Sequence, residues 1–175
     1  MEQEYTITAY SENSIGLLNR ITIIFTRRHV NIESLTVSES AIQGVHKFTI
    51  VVKTTLEQIE KVTKQIDKLV EVLKAYYHTN DEIIQQEIAL YKVPTEALMN
   101  SQEIESLVRN SGARILEITP DYTVIEKTGY KSETEELFKK LNQWGVSQFT
   151  RSGTVAVTKN PKELLTEYLN EIGVN

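Results

Sequence analysis

The chain has 175 residues, 40% of them hydrophobic and 25% charged, which is enough apolar material for one domain or two small ones. Its formal net charge is −5, with acids and bases interspersed, so the clustered basic face that binds nucleic-acid phosphates is not expected. With no cysteine it has no disulfide, thiolate metal site or thiol nucleophile, and the composition suits a reducing, cytoplasmic setting.

YTITAY, residues 5–10, alternates Tyr5, Ile7 and Ala9 against Thr6, Thr8 and Tyr10 and reads as a strand. From Gly16 the period changes: Leu17, Leu18, Ile21, Ile24 and Phe25 fall on one helix face. NIESLTVSES and VHKFTIVV, joined by a turn at Gln43-Gly44, read as a hairpin. Leu56, Ile59, Val62, Ile66, Leu69 and Val70 then recur at helical spacing, with Thr54 and Glu57 or Thr55 and Gln58 available as a capping box. VEVLKAYYH returns to strand chemistry and completes a β-α-β-β-α-β order, the ferredoxin-like plan, over residues 1–78.

The polar stretch His78 to Glu82 marks the expected boundary, and the plan repeats over 79–175. QEIALYKV is a strand; one helix runs from Thr95 to Asn110 with Leu98, Ile104, Leu107 and Val108 inward, stopped by Ser111-Gly112. ARILEI and YTVIEK flank the turn Thr119-Pro120-Asp121. Ser132 with Glu135 forms a capping box for the next helix, and Gly145 stops it. VSQFTRSGTVAVTK closes the sheet with a kink at Ser152-Gly153, and Pro161 opens a last short helix. The fold class expected is α+β, two ferredoxin-like domains in tandem. MEQEYTITAY lacks the layout of a signal peptide, and no apolar run approaches the roughly 20 residues that span a bilayer, so no membrane partner is expected.

Groups that could converge for catalysis are scarce. His29, His46 and His78 sit in different elements, without i+4 pairing, and read as surface or interface histidines. Carboxylates alternate with lysines on helix surfaces, as in Glu57-Lys61 and Glu60-Lys64, which is ordinary helix support. No phosphate-binding glycine loop, metalloprotease or nucleophile-elbow pattern occurs, so the chain is read as non-catalytic, with no catalytic or metal-binding residue. Nor does it carry the aromatic-glycine run with which ferredoxin-like sheets bind RNA.

SENSIGLLNR, residues 11–20, stands apart. Asn13, Ser14 and Gly16 lie between the first strand and the first helix, where free helix N–H groups form a seat for a carboxylate. Gly16 permits close approach of a ligand to the backbone. Asn13 or Asn31 can meet an ammonium or a carboxylate, and Ile15, Leu17 and Leu35 can supply an apolar wall: together, an amino-acid site. A plain N-cap by Asn13 or Ser14 explains the same residues.

This region resembles the small regulatory subunit of acetohydroxyacid synthase (acetolactate synthase). Two runs carry the resemblance, Glu12-Asn13…Gly16…Leu18…Arg20 and Asn31-Ile32-Glu33-Ser34-Leu35-Thr36-Val37, followed by Leu56-Glu57-Gln58-Ile59-Glu60-Lys61 and Arg151-Ser152-Gly153. The resemblance implies a non-catalytic subunit whose first domain, 1–78, is an ACT domain that pairs with a second copy and binds a branched-chain amino acid, usually valine. It implies that Asn13, Gly16 and Leu17 meet the effector, that Asn31 of the facing protomer completes the grip, and that Asn19, Thr36 and Gln58 are linked to feedback. Without that role, Asn19 lies on a polar helix face, Thr36 in a strand and Gln58 in a capping box. The partner implied is the catalytic large subunit, which carries thiamine diphosphate, magnesium and FAD; this chain carries no cofactor, and its domain 79–175 activates that partner. A free-standing ACT-type amino-acid sensor is the alternative. The chain departs from the family at Leu17, where alanine is common, and at His29-Val30, where glycine-tyrosine is common.

Overall fold

The computed structural model describes residues 1–100 and 102–173. Two compact units emerge, Met1–Gln85 together with the chain from Thr154 onward, and Gln86–Gly153. The division expected after residue 78 therefore falls after Gln85, and the last strand and helix group with the first unit, that strand pairing with the long strand that begins at Ile83.

In the first unit, β1 (Gln3–Glu12), α1 (Leu17–Arg27), β2 (Ile32–Glu39), β3 (Val45–Thr54), α2 (Leu56–Asp67) and β4 (Val72–Thr79) follow the expected order. The antiparallel sheet runs β2-β3-β1-β4. Its helix-facing side is the main core: Tyr5, Ile7 and Ala9 meet Phe48, Ile50 and Val52, under Leu17, Ile21 and Phe25 of α1 and Ile59, Val62 and Ile66 of α2. Each such buried aliphatic side chain contributes about 1.5–3 kcal/mol. Leu18, Leu56 and Val70, expected inward, are exposed: the apolar stripe of each helix is narrower than its run of apolar residues, and Val70 lies in the turn beyond the end of α2. Thr55, not Thr54, caps α2 by accepting from the Gln58 N–H at 3.4 Å.

Helix α1 ends in a reverse turn in which Val30 N–H reaches Phe25 C=O at 3.0 Å and His29 takes φ 54°. That left-handed position favours glycine.

The opposite side of this sheet is also covered. Strand β9 (Val155–Thr158) and helix α6 (Leu164–Glu171) lie against it. Ser34 Oγ accepts from Thr154 N–H at 2.8 Å, and Thr36 Oγ1 donates to Thr154 C=O at 2.8 Å. Lys47 Nζ donates to Ala156 C=O at 2.7 Å, while Tyr10, Val45 and Leu165 form a second small core. This double coverage explains why Tyr5 through Ser11 are all buried although their residue types alternate. Glu163 caps α6 through a 2.9 Å bond from Thr166 N–H, so Pro161 precedes the helix and does not open it.

The second unit repeats the topology. β5 (Ile83–Pro94) straddles the division; β6 (Arg114–Ile118), β7 (Tyr122–Gly129), α5 (Lys131–Leu141) and β8 (Gln148–Arg151) follow, in sheet order β6-β7-β5-β8. Between β5 and β6 the helix expected over 95–110 is described as α3 (Thr95–Asn100) and α4 (Gln102–Asn110), residue 101 between them lying outside the described residues. Its core joins Ala89, Tyr91 and Val93 to Ile104, Val108, Ile125, Leu137 and Leu141. The Ser132–Glu135 capping box is not used: Glu133 accepts from Tyr130 N–H at 2.7 Å, two residues earlier, and Glu135 pairs with Arg151 at 2.9 Å. Arg151 also approaches the buried Glu87 at 3.5 Å, and Thr134 Oγ1 donates to that carboxylate. Ser152 exchanges two bonds with the backbone of Ile88, and Gly153 at φ 80° then turns the chain. The Arg-Ser-Gly run is thus a clasp on the edge of this sheet.

Candidate effector site

The loop between β1 and α1 is pinned from below. Glu12 N–H donates to Glu71 C=O at 2.9 Å, and Arg20 on the first turn of α1 meets the Glu71 carboxylate at 2.6 Å. A hydrogen bond from its own backbone, then the Arg20 guanidinium, hold the Glu71 carboxyl below the usual carboxylate range. Leu17 N–H closes a turn onto Ser14 C=O at 3.3 Å.

Gly16 is the N-cap residue of α1, at φ 83° and ψ −4°, and no side chain caps the helix there. The plain N-cap by Asn13 or Ser14 is therefore not what this loop does. With no side chain capping α1, early N–H groups stay open to an anion. A Cβ at Gly16 would meet no atom within 4 Å, so the approach to this backbone is open.

Against the loop lies a hollow of about 180 Å³. Asn13, Ser14 and Gly16 line its polar side, Leu18, Val37 and Phe48 its apolar side, and His46 its edge. The apolar wall differs from the one expected. Ile15 is fully exposed at 101% and Leu35 packs on the core, whereas Val37 and Phe48 face each other across the β2–β3 pair. That wall could have been read from the hairpin register, since Val37 and Phe48 are opposite once the turn at Gln43-Gly44 is fixed.

The hollow thus gathers Asn13, Gly16 and Leu17, the last with its side chain sunk in the core. The other expected residues stand apart from it within one chain. Asn31 precedes β2, beyond the far end of α1, where its amide donates to Glu33 Oε1 at 3.2 Å. Asn19 is exposed on α1, and its C=O accepts from Thr22 Oγ1 at 3.0 Å. Thr36 spends its hydroxyl on Thr154, and Gln58 leaves a buried Oε1 with no partner among the described residues.

Residues 7–74 match the family model described as an AHAS small subunit-like ACT domain, and residues 86–160 match the small subunit of acetolactate synthase. The acetolactate synthase small subunit of Bacillus subtilis is 37% identical over 158 residues, covering 90% of this chain and 91% of the relative. The chain belongs to the acetolactate synthase small-subunit family. The corresponding protein of Mycobacterium leprae is 35% identical over 93% of this chain and 95% of its own length. In structure, the acetolactate synthase small subunit of Thermotoga maritima superposes with a TM-score of 0.81 at 32% identity, over 90% of this chain and 98% of that one. A member of this family is the regulatory, non-catalytic subunit of its enzyme, in accord with the scarcity of convergent catalytic groups. The tandem ferredoxin-like architecture, beginning with an ACT domain, is shared with these relatives. No helix of the described residues is long and apolar enough to cross a membrane.

Proposed function

We propose that the chain activates the catalytic subunit of acetolactate synthase in the cytoplasm and confers feedback inhibition by a branched-chain amino acid, valine foremost. The observation that carries this reading is the left-handed, uncapped Gly16 at the mouth of a hollow with an amide on one side and aliphatic residues on the other. The effector carboxylate sits on the early N–H groups of α1, Asn13 meets its polar head, and Leu18, Val37 and Phe48 receive the branched side chain.

The site is completed by a second copy. β2 is an edge strand, and Leu18, Ile23 and Val37 on α1 and β2 are exposed apolar residues beside it. Pairing two copies along that edge covers them and brings Asn31 of the partner toward the loop, which explains why Asn31 lies away from the hollow within its own chain. The second unit is assigned to activation of the catalytic subunit, which is expected to hold thiamine diphosphate, magnesium and FAD.

Feedback requires that the effector bind one state of the complex better than another, and by reciprocity the catalytic subunit must change effector affinity. Calorimetry of this chain with valine, leucine and isoleucine, with and without the catalytic subunit, tests both. Binding that shifts when the partner is added is expected; absence of binding by all three in both settings refutes the feedback role. Effector binding unaffected by any thiamine-dependent partner would point instead to a free-standing sensor.

A further inference from the structure

The first unit contains a second, larger cavity, of about 230 Å³, on the side of its sheet away from α1 and α2. Its floor is Thr8, Lys47, Tyr76 and His78 from three strands, and its roof is the returning chain from Ala156 to Leu164. All of these residues belong to the first unit.

The polar groups around it are unequally satisfied. Glu163 has both carboxylate oxygens engaged, Oε1 by the Tyr10 hydroxyl at 2.5 Å and Oε2 by Thr166 N–H at 2.9 Å, and its charge sits on the N-terminus of α6. Tyr76 donates its hydroxyl to Leu164 C=O at 3.2 Å. Lys47, by contrast, has a neutral carbonyl as its one hydrogen-bond partner and makes no ion pair among the described residues. Two of its three ammonium donors are therefore uncommitted, and it is partly buried. His78, nine-tenths buried beside it, has an Nε2 without a hydrogen-bond partner among the described residues. Burial pushes the His78 imidazolium toward its neutral form and works against the Lys47 charge, which the nearby Glu163 partly sustains. A partly buried cation beside an unpartnered buried imidazole in one cavity is costly unless something supplies an acceptor.

We propose that this cavity is a binding site for a small monocarboxylate, whose oxygens meet Lys47 Nζ and His78 and whose short apolar tail lies on Ile83, Ala156 and Leu164. A free amino acid fits less well, because each oxygen of the one carboxylate present already accepts a hydrogen bond from the protein. Since the roof is the C-terminal segment, an occupant fastens that segment to the sheet. This site is separate from the loop hollow and does not rest on the function proposed for it.

NMR of the histidine rings in the full-length chain provides the test, because His78 lines this cavity and His46 the loop hollow. Sodium butanoate is expected to shift the His78 signals saturably while leaving His46 in place. Lys47→Met should weaken that binding roughly ten- to a hundredfold, the loss of one charge-assisted hydrogen bond, and Lys47→Arg should retain it. No saturable His78 shift in the unaltered chain overturns the proposal, as does Lys47→Met binding butanoate as well as the original. A stronger response to inorganic phosphate than to butanoate overturns the assignment to monocarboxylates.

Discussion

Replacing Gly16 separates backbone geometry from charge at the loop. At φ 83° any side chain is strained, so Gly16→Ala should destabilise the first unit by about 1–2 kcal/mol. No atom lies within 4 Å of the new Cβ, so no steric penalty is added. For a unit of this size that loss lowers the melting temperature by roughly 4–8 °C per kcal/mol. Gly16→Asp carries the same strain but is partly compensated, since aspartate is a good N-cap and suits the positive end of α1. Toward the effector the order reverses. A carboxylate about 5 Å from the effector carboxylate, at an effective dielectric of roughly 20–80, opposes binding by about 1–3 kcal/mol, or five- to a hundredfold. Melting curves and valine calorimetry on the three proteins check this. The reasoning is refuted if Gly16→Asp binds valine as tightly as the unaltered chain, or no more weakly than Gly16→Ala.

His29→Gly relieves a left-handed non-glycine residue and should stabilise the first unit by about 0.5–1 kcal/mol in urea melts. Arg151→Met leaves the buried Glu87 without its cation, the Thr134 hydroxyl remaining as its hydrogen-bond donor, and should cost about 2–4 kcal/mol, read by hydrogen exchange confined to the second unit. Tyr10→Phe removes the bond to Glu163 and should loosen the last helix, detected as faster proteolysis after residue 160 with the sheet intact. The Glu126 carboxyl is held below its ordinary value of 4.5 by the Thr128 hydroxyl and then Arg114. A depressed folded-state value contributes stability above that pH, and the contribution drains away as pH falls below it, so Glu126→Gln should flatten the acid limb of a stability–pH curve.

The order of elements through residue 78 was legible because each segment has a clean period and each turn its own residue signal. Leu17, Ile21 and Phe25 proved inward, as did the alternating Phe48, Ile50 and Val52. What escaped was the second face of the first sheet. A sequence does not say that a segment about a hundred residues later will engage Ser34, Thr36 and Lys47 through the backbone of Thr154 and Ala156. The same long-range return displaced the domain boundary and covers His78, which the sequence leaves as a surface or interface histidine. At the loop, Asn13 and Gly16 were found from their position before a helix, but the wall of Val37 and Phe48 depended on strand register. Thr36, which the resemblance links to feedback, donates its hydroxyl to Thr154 within this chain, a contact its strand position alone does not reveal.

The most direct test of the regulatory account is reconstitution. Acetolactate formation is measured with the catalytic subunit alone, with this chain added, and with valine titrated into the mixture. The account predicts that the added chain raises the rate and that valine then lowers it, with no valine effect on the catalytic subunit alone. An unchanged rate on mixing, or a rate that valine leaves untouched, contradicts it.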